Sequence, residues 1–377
     1  MKRMKKQIAL FLVFSFFFMF VSCKGDDLDH TQTTGAPISP EDPIGLENQA
    51  FLNTVTYLKY CLTGEEEPYF MGRWFEKKIS GVKHKVTLTD GSSFYFMTSG
   101  TESIDVNFTV ITEKEEPYFA YSVDGAEPVR QHITESKIIL PDDGKHTVRI
   151  IADGMTESES KWREERGFAL KSVVPVQGGR IFGIRPENKI IFYYGDSITE
   201  GVRALNMSAT SNGNSAVNAY PWFCSEKLGA VTYSVGYGAS GVTVPGSFNT
   251  FLHAIDYNSY GRKVDDGMTP DVIVVNHGTN DRSASEETFK TELLLAVSRL
   301  REKYPDAPII YMIPFNQSRA EEIAEVMGGF ENAYVVQTQG WNITMTDLYH
   351  PDTSGAKIAG ENLADELLRI LGEDFFS

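Results

Sequence analysis

The stretch Lys189-Ile190-Ile191-Phe192-Tyr193-Tyr194-Gly195-Asp196-Ser197-Ile198-Thr199-Glu200-Gly201 decides the fold. Its first six residues are mostly apolar and β-favouring, which predicts a buried strand. Gly195 breaks that strand and leaves Ser197 at its C-terminal tip. In an open parallel α/β sheet, sites form at that edge, where the strand order reverses. A serine there acts as a nucleophile only if a base and an oxyanion hole reach it. The rest of the chain has to supply both.

Downstream, four more apolar runs predict strands, at 230–235, 271–276, 308–313 and 333–336. Helices are expected between them. One spans 283–303, opens on a capping box of Ser283 and Glu286, and carries Phe289, Leu293, Ala296, Val297 and Leu300 on one face. Another spans 354–371, with Ile358, Leu363, Leu367 and Leu371. Alternating β and α units imply a parallel sheet covered by helices on both sides.

Upstream, between about 48 and 186, the texture is different. Short β-like runs at 86–88, 93–97, 104–110, 119–123, 137–140 and 146–151 are separated by Asp90-Gly91, Asp124-Gly125 and Asp143-Gly144. Several alternate with period two, which predicts an antiparallel, jelly-roll-like sandwich. The segment from Gly154 to Gly179 reads as the join between this module and the next.

Four loops follow strand ends in the second module, and each carries a chemical group. They are Gly195-Asp196-Ser197, then Gly236-Tyr237-Gly238-Ala239-Ser240-Gly241, then His277-Gly278-Thr279-Asn280-Asp281, and finally Asp347-Leu348-Tyr349-His350-Pro351. With strand order 2-1-3-4-5, the first three loops meet at one crevice. The backbone N–H groups of Ser197 and Gly241 and the amide of Asn280 could then surround one carbonyl oxygen. His350 supplies the base, and Asp347, three residues earlier, can reach its ring across a turn to fix the tautomer.

Each residue also has a plainer reading. Ser197 alone would be a helix N-cap, Gly241 a turn, and Asn280 a loop cap; Gly236 or Gly238 could replace Gly241 as the donor. His277 suits a structural or pocket-lining role better than that of base, and Asp196 suits holding the loop. Tyr220 and Trp222 read as core. Trp74 and Trp162 are open between core and sugar platform. The seven histidines are scattered without paired spacing, so no metal site is expected.

Taken together and in order, Gly195-Asp196-Ser197, Gly241, Gly278-Thr279-Asn280-Asp281 and Asp347-x-x-His350 resemble the four blocks of the SGNH/GDSL hydrolase superfamily, over roughly 188–377. The leading sandwich makes the whole chain resemble carbohydrate esterase family 2. The resemblance implies a flavodoxin-like three-layer domain behind a β-sandwich, and no cofactor. It also implies a serine esterase that removes acyl groups, acetyl above all, from O-acetylated oligo- or polysaccharide. Some members of that family lack the acidic residue, which leaves Asp347 and a backbone carbonyl as alternatives for orienting His350. The residues themselves fix only acyl transfer. A lipase- or thioesterase-type hydrolase on the same triad, and a non-enzymatic glycan-binding lipoprotein, stay open beside the deacetylase.

Composition and the N-terminus set the context. At 377 residues, with 41% hydrophobic residues, the chain is long enough for two cores. Four cations (Lys2, Arg3, Lys5, Lys6) precede an apolar run from Ile8 to Val21, and Ser22-Cys23 follows. Phe20-Val21-Ser22-Cys23 resembles a bacterial lipobox with Cys23 as the lipidated residue, and Lys24-Gly25-Asp26-Asp27 resembles the export tag of Bacteroidetes surface lipoproteins. The expected layout is a signal peptide (1–22), a flexible tether (23–46), a β-sandwich (47–187) and a hydrolase (188–377), held at the outer membrane or cell surface by lipid alone. The formal charge of −16 becomes four units more negative once the signal peptide is lost, which argues against nucleic acid as a partner. Cys61 and Cys224 remain and are expected to be free, packed thiols.

Overall fold

The computed structural model describes residues 48–53, 58–176 and 178–377. The expected signal peptide, the tether and the lipidation site Cys23 lie outside the described residues.

The first module is built from strands β1 (Tyr60–Leu62), β2 (Tyr69–Met71), β3 (Trp74–Ile79), β4 (Val82–Thr87), β5 (Ser93–Ser99), β6 (Ser103–Val110), β7 (Tyr118–Val123), β8 (Val129–His132), β9 (Lys137–Ile139), β10 (His146–Gly154), β11 (Phe168–Pro175) and β12 (Arg180–Pro186). They form two antiparallel sheets. One runs β1-β12-β5-β10-β7-β8, with β2 added beside β5, and the other runs β3-β4-β11-β6-β9. Their facing sides bury Phe94, Phe96, Ile104, Val106, Phe119, Val148, Ile150, Phe168 and Leu170.

The expected alternation fails at β5 and β10, which are buried almost throughout. Each has a second apolar face to cover. In β5, Phe94 and Phe96 enter the sandwich core, while Tyr95 and Met97 point the other way and join the core of the second module. In β10, Ile150 faces inward and Ile151 packs with Val217 and Trp222.

The segment from Gly154 to Gly179, expected to join the modules, contributes strand β11 to the sandwich, between β4 and β6. It pairs with β6 along most of its length, from Phe168 opposite Val110 to Pro175 opposite Ile104. The strand that follows, β12, lies between β1 and β5. Between β10 and β11 the chain also forms one short helical turn, α1 (Lys161–Glu164).

The second module alternates as expected: β13 (Ile190–Gly195), α2 (Ser197–Glu200), α3 (Tyr220–Leu228), β14 (Val231–Gly236), α4 (Phe251–Asp256), a small hairpin of β15 (Tyr257–Ser259) and β16 (Arg262–Lys263), β17 (Val272–Asn276), α5 (Glu286–Lys303), β18 (Ile309–Met312), α6 (Ala320–Met327), β19 (Ala333–Val336) and α7 (Thr353–Leu371). The parallel sheet has the order β14-β13-β17-β18-β19, which is the expected 2-1-3-4-5. Alternate residues of β13 serve opposite layers. Ile191 and Tyr193 pack with α3 and α7, whereas Phe192 and Tyr194 pack towards α4 and α5.

Helix α5 starts later than its pattern suggests. Ser285, not Ser283, is the N-cap and accepts from the Thr288 N–H, while Phe289, Leu293, Ala296, Val297 and Leu300 are buried as read. Helix α7 is capped by Asp352. Cys61 and Cys224 are both buried.

Candidate active site

The sheet register brings the strand ends level. Gly195 pairs with Gly236 on one side and with Asn276 on the other. Position 195 has no room for a side chain: a Cβ there would stand 1.9 Å from Thr199 Oγ1 and 2.9 Å from the Asn276 carbonyl. The chain can therefore turn at once into α2, whose first residue is Ser197. Asp196 is the N-cap and accepts from the Ile198 N–H at 2.9 Å, so Ser197 is both a helix-start residue and the group that faces the base.

Ser197 Oγ lies 2.8 Å from His350 Nε2. The other ring nitrogen, Nδ1, lies 2.9 Å from Asp347 Oδ2 and 3.1 Å from Oδ1. A carboxylate can only accept from that nitrogen, so Nδ1 carries the proton and Nε2 is left as the acceptor for the serine hydroxyl. Asp347 is fixed in turn by the backbone N–H groups of Tyr349 (2.7 Å) and His350 (2.8 Å) on Oδ1, and by the guanidinium of Arg203 on Oδ2. Partial burial works against its charge, but these hydrogen bonds overcome it and hold the carboxyl well below the usual carboxylate range. Between Asp347 and a backbone carbonyl as orienter of His350, the geometry favours Asp347.

Asn280 reaches the crevice from the loop after β17. Its Nδ2 donates to the Ser240 carbonyl at 2.9 Å and approaches Asp196 Oδ2 at 3.4 Å. One N–H thus locks the amide, while the second is held only by a long contact beside the nucleophile's cap.

Gly241 has a different job from the expected one. Its N–H donates to the Val244 carbonyl at 2.8 Å, so that proton is not free for an oxyanion. The glycine is needed because the Asp281 carboxylate sits where a Cβ would go, at 2.5 Å from Oδ2. Asp281 accepts from the N–H groups of Val242 and Thr243 and from the Thr243 hydroxyl, and so shapes the whole turn. The N–H of Gly238, one of the two alternatives to it, is turned towards the Glu200 carboxylate.

The remaining assignments follow from burial. His277 is 1% exposed and its ring lies 4.7 Å from that of Phe251. Burial pushes its pKa down to about 4, which makes it a neutral packing residue. Tyr220 is buried and shares a 2.9 Å hydrogen bond with Thr199. Trp222 is buried under the Arg149 guanidinium. Trp74 donates to the carbonyls of Met71 and Ser93, and Trp162 packs edge-on against Phe248, Tyr257 and Tyr260.

Two features of the site have no clear sequence signature. Arg203 is one, because nothing in the spacing ties it to a residue 144 positions away. The other is a wholly buried ion pair of Lys161 with Glu200, both side chains 0% exposed. It brings a residue of the sandwich side beneath the helix that carries the nucleophile. Burial pushes the Glu200 pKa up to about 7 despite Lys161, and the Asp196 pKa likewise to about 7, with Asp281 adding to the effect.

Residues 193–366 match the model of the GDSL-like lipase/acylhydrolase family. No curated protein sequence matches the chain. Among solved structures, a family two carbohydrate esterase from Clostridium thermocellum, in complex with cellohexaose, superposes with a TM-score of 0.64 at 21% identity, covering 81% of this chain and 99% of that one. An acetyl xylan esterase from the rumen bacterium Butyrivibrio proteoclasticus gives 0.65 at 18% identity, covering 85% and 100%. A salicylyl-acyltransferase from a tetracycline biosynthetic pathway gives 0.60 at 16%, covering 84% and 99%. The two-module fold is therefore the one these structures share, that of the family two carbohydrate esterases among them.

Proposed function

We propose that this chain, whose residues 193–366 form a GDSL-like lipase/acylhydrolase domain, is a lipid-anchored esterase that removes acetyl groups from O-acetylated carbohydrate. The observation that carries the reading is the line Ser197 Oγ, His350 Nε2, His350 Nδ1, Asp347 Oδ2, with steps of 2.8 and 2.9 Å between the residues.

In this reading Ser197 Oγ attacks the ester carbonyl carbon while His350 Nε2 takes its proton. Asp347 stabilises the imidazolium so formed. The carbonyl oxygen becomes an oxyanion that draws on the Ser197 N–H and the Asn280 amide; Gly241 adds a third donor only by releasing the Val244 carbonyl. His350 then returns the proton to the departing sugar oxygen, which leaves an acetyl-serine. Water, deprotonated by His350, releases acetate and restores the enzyme. The preference for acetyl carbohydrate is supported by the structural relatives, among them the acetyl xylan esterase and the cellohexaose-bound esterase. Anchoring at the outer membrane or cell surface is supported by the Phe20-Val21-Ser22-Cys23 motif.

The test is hydrolysis of 4-nitrophenyl acetate, set against the butyrate and longer esters, by wild type and Ser197→Ala. Acetate turnover that collapses in the variant, with weak activity on long chains, is expected. Turnover that survives the substitution would sink the site, and a preference for long chains would make the enzyme a lipase or thioesterase.

A further inference from the structure

The segment that carries the base is fastened to the loop that follows the nucleophile. Thr346 Oγ1 donates to the Arg203 carbonyl at 2.8 Å, and Thr353 donates to the Ala204 carbonyl from both its N–H (3.0 Å) and its hydroxyl (3.1 Å). Between these ties the Arg203 guanidinium donates to Asp347 Oδ2, the oxygen that also accepts from His350 Nδ1. Arg203 is held in place for this. Its φ is +58°, in the left-handed region, and its N–H is taken by Asn214 Oδ1 at 2.9 Å. A non-glycine residue keeps such a conformation only where its surroundings impose it. Its side chain is about one-third exposed, while its Nε is buried without a hydrogen-bond partner.

We propose that Arg203 is a positioning residue for ester hydrolysis: it aims the Asp347 carboxylate at the His350 ring and, as a permanent cation on the same oxygen, makes the imidazolium harder to form. An arginine stays charged throughout the working pH range, so this bias does not switch. The other charged groups around the pair do not duplicate it. Arg282 lies over the Tyr349 ring at 4.7 Å and donates to its hydroxyl. Asp352 is engaged with Thr344 and the Gly355 N–H. Asp196 is buried beneath the nucleophile and caps α2.

This inference rests on the esterase reading, and its test separates the two. The pH profile of kcat/KM on 4-nitrophenyl acetate is measured for wild type, Arg203→Met and Arg203→Lys, with thermal unfolding as the check on folding. The methionine variant is expected to lose activity and to move its acid limb up by about half to one pH unit, the effect of one charge that shares an acceptor oxygen with the ring in a partly exposed site. The lysine variant is expected to restore the limb. A uniform loss of rate with an unmoved limb would reduce Arg203 to a staple, and an unchanged or downward-shifted profile would overturn the proposal. Should Arg203→Met fail to fold, Arg203→Gln carries the same test. The downfield proton of His350 Nδ1–H, followed by NMR in the substrate-free protein, needs no turnover. Its displacement in Arg203→Met and recovery in Arg203→Lys support the positioning role even in a protein that cleaves no ester, and its indifference to both refutes that role.

Discussion

Replacing Asp347 by asparagine tests the acid of the triad without removing bulk. The carboxylate has donors on both oxygens: the Tyr349 and His350 N–H groups on Oδ1, and Arg203 and His350 Nδ1 on Oδ2. An amide must turn its NH2 towards one set or the other. Facing Oδ1's partners it meets two backbone N–H groups that cannot move. Facing Oδ2's partners it meets Arg203 and an imidazole that can change tautomer, so this is the orientation expected. His350 then keeps its proton on Nε2 and presents it to Ser197, which leaves the serine without a base. A triad with its histidine in the wrong tautomer loses about 10⁴ in kcat, or ~5.5 kcal/mol of transition-state stabilisation. The lost Arg203 contact adds a stability cost of ~1–3 kcal/mol. The assay is kcat on an acetyl ester below the variant's unfolding temperature, with KM recorded separately. Activity within about tenfold of wild type would refute the reasoning and pass the orienting role to a backbone carbonyl.

Two further expectations concern the same crevice. Asn280→Ala should lower kcat by about 10²–10³ with little change in KM, as the loss of one oxyanion donor does elsewhere; a loss below about tenfold would leave Asn280 as a loop anchor for Ser240. Stability should fall with pH across the range where Asp196 ionises. Its folded pKa is raised to about 7, so the native state holds a proton that the unfolded chain has released. Its contribution is complete below about pH 4 and is lost as pH rises through 7, at up to ~4 kcal/mol. Thermal unfolding should show this decline and a flatter curve in Asp196→Asn, in which the Ile198 N–H keeps an acceptor; a midpoint that climbs steadily to pH 8 would contradict it.

Much of the second module was legible in sequence because its signals are local. The β13 run, the helix faces of α5 and α7, and four loops that follow strand ends all lie within short windows. Ser197, Asn280, Asp347 and His350 converge because the strand order places their loops at one edge. Gly241 was misread because a glycine at a tight approach looks the same in sequence whether it frees an amide or admits a neighbour's carboxylate. In the sandwich, β11, inside the expected join, and β12, just after it, carry no local signal of their place, since their pairing partners β4, β6, β5 and β1 are far away in the chain. The Asp90-Gly91 turn lies where its residues place it, between β4 and β5, but nothing local shows that Asp90 is wholly buried or that Gly91 packs on Ser234 of β14. Contacts of that range leave no periodic trace.

These long-range contacts also decide what the sandwich is for. Arg73, 2% exposed, donates to the carbonyls of Tyr257 and Ile255 and to the Tyr194 hydroxyl, all in the second module. Asp153 of β10 accepts from Ser215 and from the Val217 N–H while pairing with Arg130. Lys161 sits under the nucleophile's helix on Glu200, whose carboxylate in turn faces the Gly238 N–H of the active-site turn. Burying a lone carboxylate is expensive, and an opposite charge within hydrogen-bond reach is what offsets it. Cutting the chain at 187 would therefore strip Glu200 of its counter-charge and uncover the second faces of β5 and β10 in one step. The composition break near 187 marks a change of secondary-structure pattern; the folding unit, and with it the catalytic edge, runs across it.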